Sequence, residues 1–169
     1  MSRSLLRSLT IAGVVGLTGC GPGLSQSPPQ FLPITAQWCL AGPPPVRCIQ
    51  LEVPRGERQY AMGLQLRPPL PPLRGMWFPY VPPAVARFWM HRTPEPLDML
   101  FIRDGRVIAL QSPARPCMNL PCPSYGPDTP VDGVLELAAG QAAVLGITVG
   151  TPVRITPLPG ATPSAPAPD

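Results

Sequence analysis

The chain has 169 residues, with thirteen arginines, no lysine, nine acids, a formal charge of +4 and 29 prolines. That length holds one compact domain, and arginines spread singly from Arg47 to Arg154 exclude the clustered basic face of a nucleic-acid binder. The absence of lysine excludes Schiff-base and lysine-nucleophile chemistry, and proline well above its usual share of about 5% argues against long helices and wide central sheets.

The chain starts on a basic segment carrying Arg3 and Arg7, passes through an apolar stretch at 9–17, and reaches Leu17, Thr18, Gly19 and Cys20. This is the layout of a bacterial lipoprotein signal over residues 1–19, with Cys20 as lipid acceptor. The stretch falls short of the about 20 apolar residues a spanning helix needs. Removing residues 1–19 takes away Arg3 and Arg7, so eleven arginines face nine acids and the charge falls to +2. Gly21, rather than an acid, follows the acceptor, which suits passage to an outer membrane in lipoproteins of this type. Residues 20–33 have the Gly, Ser and Pro content of a tether.

Setting Cys20 aside leaves four cysteines, Cys39, Cys48, Cys117 and Cys122, which allow three pairings. Cys39 with Cys48 and Cys117 with Cys122 are favoured, because each pair brackets a short Pro-containing loop. An oxidising envelope lets both persist. A zinc site competes, but its ligand spacing fits only the second pair, and neither pair has the two-residue spacing of a thioredoxin-like motif. No metal and no cofactor is expected.

Alternation over 47–53 predicts a half-buried strand. Pro54 suits the first turn of a helix that stops before Pro68, with Glu57 at the favourable end of its dipole. Strands are expected over 76–78, 86–91, 97–103 and 106–111. Asp104 and Gly105 join the last two in a type I′ hairpin, because both tolerate the positive φ it demands. A strand over 134–137, a short helix over 138–145 and a last strand over 153–156 follow, before a Pro/Ala tail at 158–169. These elements predict a mainly β domain over 34–157 with two short helices.

Four groups of residues in this frame carry a resemblance. Gly63, Leu64, Gln65, Leu66 and Arg67 stand at the end of the first helix, and Gly75, Met76, Trp77 and Phe78 form a strand start. Phe88, Trp89, Met90, His91, Arg92 and Thr93 precede Pro96, Leu97 and Asp98, then the hairpin Phe101, Ile102, Asp104, Gly105 and Val107. Leu135, Glu136 and Leu137 come before Leu145, Gly146, Ile147 and Gly150. Over residues 48 to about 157 this pattern resembles the DUF192 (UPF0127) family, with Gln65 in place of the family's Met and Arg92 in place of its usual Asn. The resemblance implies a compact sandwich-like or half-barrel β fold with helices packed on it, and no established activity.

Trp89, Met90, Thr93 and Asp98, with Tyr125, are the candidate ligand-binding residues: large apolar side chains for a concave floor and short polar ones to orient a ligand. The competing reading is core packing and turn chemistry, with Thr93 entering a turn before Pro94 and Asp98 capping or pairing with an arginine. Catalysis is left open. A hydrolase would have to use His91, the sole histidine, with Asp98, but no Gly-x-Ser-x-Gly elbow is present. Glu95 and Asp98 as a paired-acid centre rest on no readable geometry. The expected role is a lipid-anchored envelope module binding a small molecule or an envelope protein. An envelope hydrolase and a structural spacer are the alternatives.

Overall fold

A computed structural model describes residues 27–42 and 44–161, so the leader, Cys20 and most of the tail lie outside the described residues. Nine strands and two short helices are found among them, with 42% of residues in strand and 8% in helix. The strands are β1 (Ile34–Cys39), β2 (Cys48–Glu52), β3 (Arg74–Ala84), β4 (Phe88–Trp89), β5 (Leu97–Arg103), β6 (Arg106–Ala114), β7 (Ser124–Tyr125), β8 (Val131–Ala138) and β9 (Ile155–Pro157). The helices are α1 (Gly56–Met62) and α2 (Gln141–Val144). Seven strands form one open mixed sheet in the order β6-β5-β8-β3-β2-β1-β9, not closed into a barrel, and β4 pairs with β7 beside it.

Only β2 and β3 run parallel within the large sheet. Parallel neighbours need a crossover rather than a hairpin, and α1 with the turns after it supplies one. The hairpin between β5 and β6 turns at Asp104 and Gly105, whose φ values of 49° and 66° are the positive pair that its sequence predicts.

Both faces of the sheet are covered, because inward side chains alternate along every central strand. One face joins Ile49, Leu51, Leu100, Leu135 and Leu137 to Trp38 of β1 and to Ala142, Leu145 and Ile147 around α2. The other joins Met76, Phe78, Met99, Phe101 and Val134 to Leu64 and Met90, with Tyr60, Phe88 and Tyr125 packed against it.

Several expectations change in extent, among them β6, which reaches Ala114, and β8, which spans Val131–Ala138. β3 runs on through Pro79, Pro82 and Pro83, since its pairing with β8 jumps from Pro79 opposite Gly133 to Ala84 opposite Val131. That bulge asks no ladder hydrogen from the prolines. The strand expected over 86–91 contracts to Phe88–Trp89, because Met90 is pulled into a turn in which its carbonyl accepts from both Thr93 N and Cys117 N at 3.1 Å. The second helix contracts to Gln141–Val144, as β8 continues to Ala138. Two strands went unread, β1 and β7. The segment 27–33 has no regular secondary structure, yet it is docked: Gln30 Nε2 donates to the carbonyls of Gln59 and Gly63 at 2.8 and 2.9 Å, and Leu32 N donates to Glu52 Oε2 at 2.8 Å.

Cys39 is bonded to Cys48 across β1 and β2, and Cys117 to Cys122 around the Asn119–Pro121 loop. Both favoured pairings are present. Cystines of this kind belong to an oxidising, exported environment. Among the described residues no helix is long and apolar enough to cross a membrane.

Candidate functional site

Three carboxylates are buried in this domain, and their surroundings differ sharply. Glu52, on β2, is held by Arg67 Nη1 at 2.7 Å and by the amide of Leu32. Asp98, on β5, accepts from Ser112 Oγ at 2.5 Å, Gly140 N at 3.0 Å and Ala142 N at 2.9 Å. It therefore ties α2 and β6 to the sheet. Glu136, on β8, is only 4% exposed, and no group among the described residues donates to it.

The reason lies in strand register. Glu136 stands opposite Met76 on β3 and Met99 on β5, so its cross-strand neighbours are two buried methionines. Glu52 stands opposite Met76 from the other side. Within one row of the sheet, the guanidinium of Arg67 serves Glu52 and leaves Glu136 to apolar surroundings. Desolvation by burial pushes the Glu136 carboxyl up to about 8.

Glu136 lies at the base of a small cleft of about 40 Å³. Tyr60 and Gly63 to Gln65 form one lip, Phe88, Trp89 and Thr93 the other, and Phe78 lies between them. Local backbone chemistry shapes both lips. The chain leaves α1 at Gly63 with φ of 47°, a conformation glycine tolerates and other residues rarely adopt, and Leu66 N then donates to the carbonyl of Arg92 at 2.8 Å. That bond stitches one lip to the other. Arg92 itself has φ of 55°. The left-handed region favours Asn over Arg, which gives the family's usual Asn at this position a backbone reason.

The walls are aromatic and interlocked. Phe78 meets Tyr60 and Phe88 edge to face, with centroids 5.7 and 4.9 Å apart. The Tyr60 hydroxyl donates to the Pro79 carbonyl at 2.6 Å. Burial raises the pKa of Tyr60, with a further contribution from Tyr80, and raises that of Tyr80, to which the nearby Glu136 charge adds. Both phenols therefore stay protonated at neutral pH.

The residues singled out in the sequence are divided by this arrangement. Trp89, half exposed, and Thr93, buried with its hydroxyl toward the His91 carbonyl at 3.4 Å, line the cleft. Met90 is fully buried in the core beneath. Tyr125 sits opposite Phe88 in the β4–β7 pair and packs against the same cluster without lining the cleft. Asp98 lies on the opposite face of the sheet, its three donors in place, and His91 is not among them; the His91 ring lies 5.4 Å from that of Trp89. No group of three or more potential metal ligands is found among the described residues.

Sequence reading missed Glu136, Tyr60, Phe78 and Phe88 as members of one site. The available signal was Glu136 between Leu135 and Leu137, an acid inside an apolar strand.

Comparison with known proteins supplies a family and no activity. The model of the DUF192 family, described as an uncharacterized ACR, matches residues 41–155. A crystal structure of a protein from Sinorhizobium meliloti 1021, described provisionally as a transcription regulator, is 28% identical with a TM-score of 0.62, covering 73% of this chain and 92% of that one. A protein of unknown function from Novosphingobium aromaticivorans DSM 12444 is 29% identical with a TM-score of 0.63, covering 82% of this chain and 99% of that one. No curated protein matches.

Proposed function

The chain belongs to the DUF192 family, and from that premise we propose that it is an envelope lipoprotein whose domain binds a small ligand or an exposed group of an envelope component. Cys20 carries the lipid that holds it to a membrane, and residues after Cys20 connect the anchor to the domain. The run Leu17 to Cys20 supports the anchor, and the two cystines agree with export.

One observation carries the binding role. Glu136 is only 4% exposed, accepts from no donor among the described residues, and lines a cleft with Tyr60, Phe78, Phe88 and Trp89. A spacer gains nothing from such a group, since burying a polar side chain without a partner lowers stability. A ligand that meets it recovers the lost interaction. Aromatic side chains interleaved with exposed polar atoms give a ligand both surface to cover and groups to bond. Asp98, the acid the hydrolase alternative needs, is already engaged by three donors.

The test is recovery of the mature protein from its host under native conditions, with mass analysis of the N-terminus and of any bound molecule. The expected result is an acylated Cys20 and a ligand that is lost from a Trp89→Ala variant. Full occupancy of nothing in the wild type, with an unmodified Cys20, would overturn both halves of the proposal.

A further inference from the structure

We infer that the cleft over Glu136 receives the head of a small organic cation, a primary alkylammonium, with Glu136 as its counter-ion and the surrounding rings as its walls. This rests on the binding role proposed above and names the chemical class of the ligand.

Charge is the first ground. Glu136 is the sole formally charged residue lining the cleft, so an anion would meet a like charge or a buried acid and nothing to neutralise it. Arg67, which reaches this row of the sheet, is engaged with Glu52 and lies over the Phe31 ring at 4.5 Å. The chain has no lysine of its own to occupy the site.

The walls are the second ground. Four aromatic residues, Tyr60, Phe78, Phe88 and Trp89, line the same cleft as the carboxyl of Glu136. Aromatic faces carry negative quadrupole density and attract a desolvated cation, and this is the combination from which cages for alkylammonium groups are built. An ammonium has three donors. Glu136 offers carboxylate oxygens and Thr93 a hydroxyl oxygen at the same cleft, and both phenols of the neighbourhood remain neutral.

Size is the third ground. The cavity of about 40 Å³ exceeds the roughly 10–15 Å³ needed for one water by enough for an ammonium and the first methylenes of its chain. It falls far below the several hundred Å³ of a site for a drug-sized ligand, which argues against a pyranose ring seated whole. The remainder of the ligand would lie outward along Trp89, which is half exposed.

A bound cation also offsets the desolvation that favours the protonated form of Glu136. The groups facing it are Met76 and Met99 from the adjoining strands, the phenol of Tyr80, and the aromatic walls, with Glu52 and Arg67 paired beyond Met76. The one positive charge among them, on Arg67, is already paired with Glu52, so the ligand supplies the counter-charge. At pH 7 the encounter should release close to one proton.

The experiment titrates the mature protein with n-butylammonium and, separately, with its neutral counterpart n-butanol, by calorimetry in two buffers of different ionisation enthalpy and by tryptophan fluorescence. The expected result is at least tenfold tighter binding of the cation and proton release near one per site at pH 7. Glu136→Gln should weaken the cation at least tenfold and leave the alcohol within threefold. Trp89→Phe should remove the fluorescence response. Equal affinity for the two probes in the wild type, a comparison that needs no variant, would overturn the cation assignment while leaving a neutral-ligand cleft standing. If neither probe binds and the natively recovered protein carries no ligand, the binding role itself falls.

Discussion

Asp98 and Glu136 stand one register position apart on adjoining strands, since Asp98 faces Leu137 across the β5–β8 ladder and Met99 faces Glu136. Side-chain alternation sends them to opposite faces of the same sheet. On one face the chain brings three donors to Asp98 and fastens α2 and β6 in place. On the other it brings methionines and aromatic rings to Glu136 and, among the described residues, no donor. Two buried acids of nearly equal depth thus have different work: the first holds the fold together, and the second is held at a loss to the fold.

This contrast predicts effects of opposite sign. The largest belongs to Glu136. Its folded pKa of about 8 lies above the ordinary 4.5, so between these values the unfolded chain is ionised while the folded one retains its proton. Stability associated with this group is fully present below pH 4.5 and falls as pH rises through about 8. Across that window the fall should be roughly 5 kcal/mol. Glu136→Gln should remove most of it, leaving the variant near wild type at pH 5 and more stable at pH 9 by urea unfolding. A wild-type curve flat across the window would mean that Glu136 has a donor after all.

Asp98→Ala should act the other way and at every pH between 5 and 9. It strands two backbone amides and a serine hydroxyl, each group carrying a cost of about 1–3 kcal/mol when buried and unpaired. Relaxation of exposed Ser112 reduces the sum to about 3 kcal/mol, read by the same unfolding measurement. A loss under 1 kcal/mol would erase the distinction between the two acids.

Ser112→Ala removes a single donor to Asp98 and should cost about 1 kcal/mol. The amide hydrogens of Gly140 and Ala142 should then exchange little faster than in the wild type, because the carboxylate still holds them. Smallest of all, Trp89→Ala should change stability by no more than about 0.5 kcal/mol, since the side chain is half exposed. A larger loss would make Trp89 part of the core rather than the rim of a cleft.

How much of this was legible before folding differs element by element. The bounds of β5 and the Asp104–Gly105 turn were readable because a fully apolar run and a turn dipeptide each carry a local cause. Both cystines followed from loops short enough to return the chain. β1 escaped notice because Ala36 and Trp38 give only two inward positions between Pro-rich flanks. β7 has two residues and exists through its pairing with Phe88 and Trp89. Of the candidate ligand-binding residues, Trp89 and Thr93 meet at the cleft, while Met90 and Asp98 are buried elsewhere and Tyr125 stands behind Phe88.

From its amino acids alone, this chain declared a mainly β class, a family and two cystine pairings, because each depends on neighbours along the chain or on short loops. Tertiary structure alone decided which acid would be satisfied. Leu135 and Leu137 alternate with Glu136 as they would on any half-exposed strand, and solvent is the expected fate of the odd residue. β8 instead lies between β5 and β3 with both faces covered. Burial of the second face depends on side chains 50 to 76 residues away in sequence, Tyr60 and Ala86 among them, and that long-range packing strips most solvent from Glu136 without bringing it a donor from among the described residues.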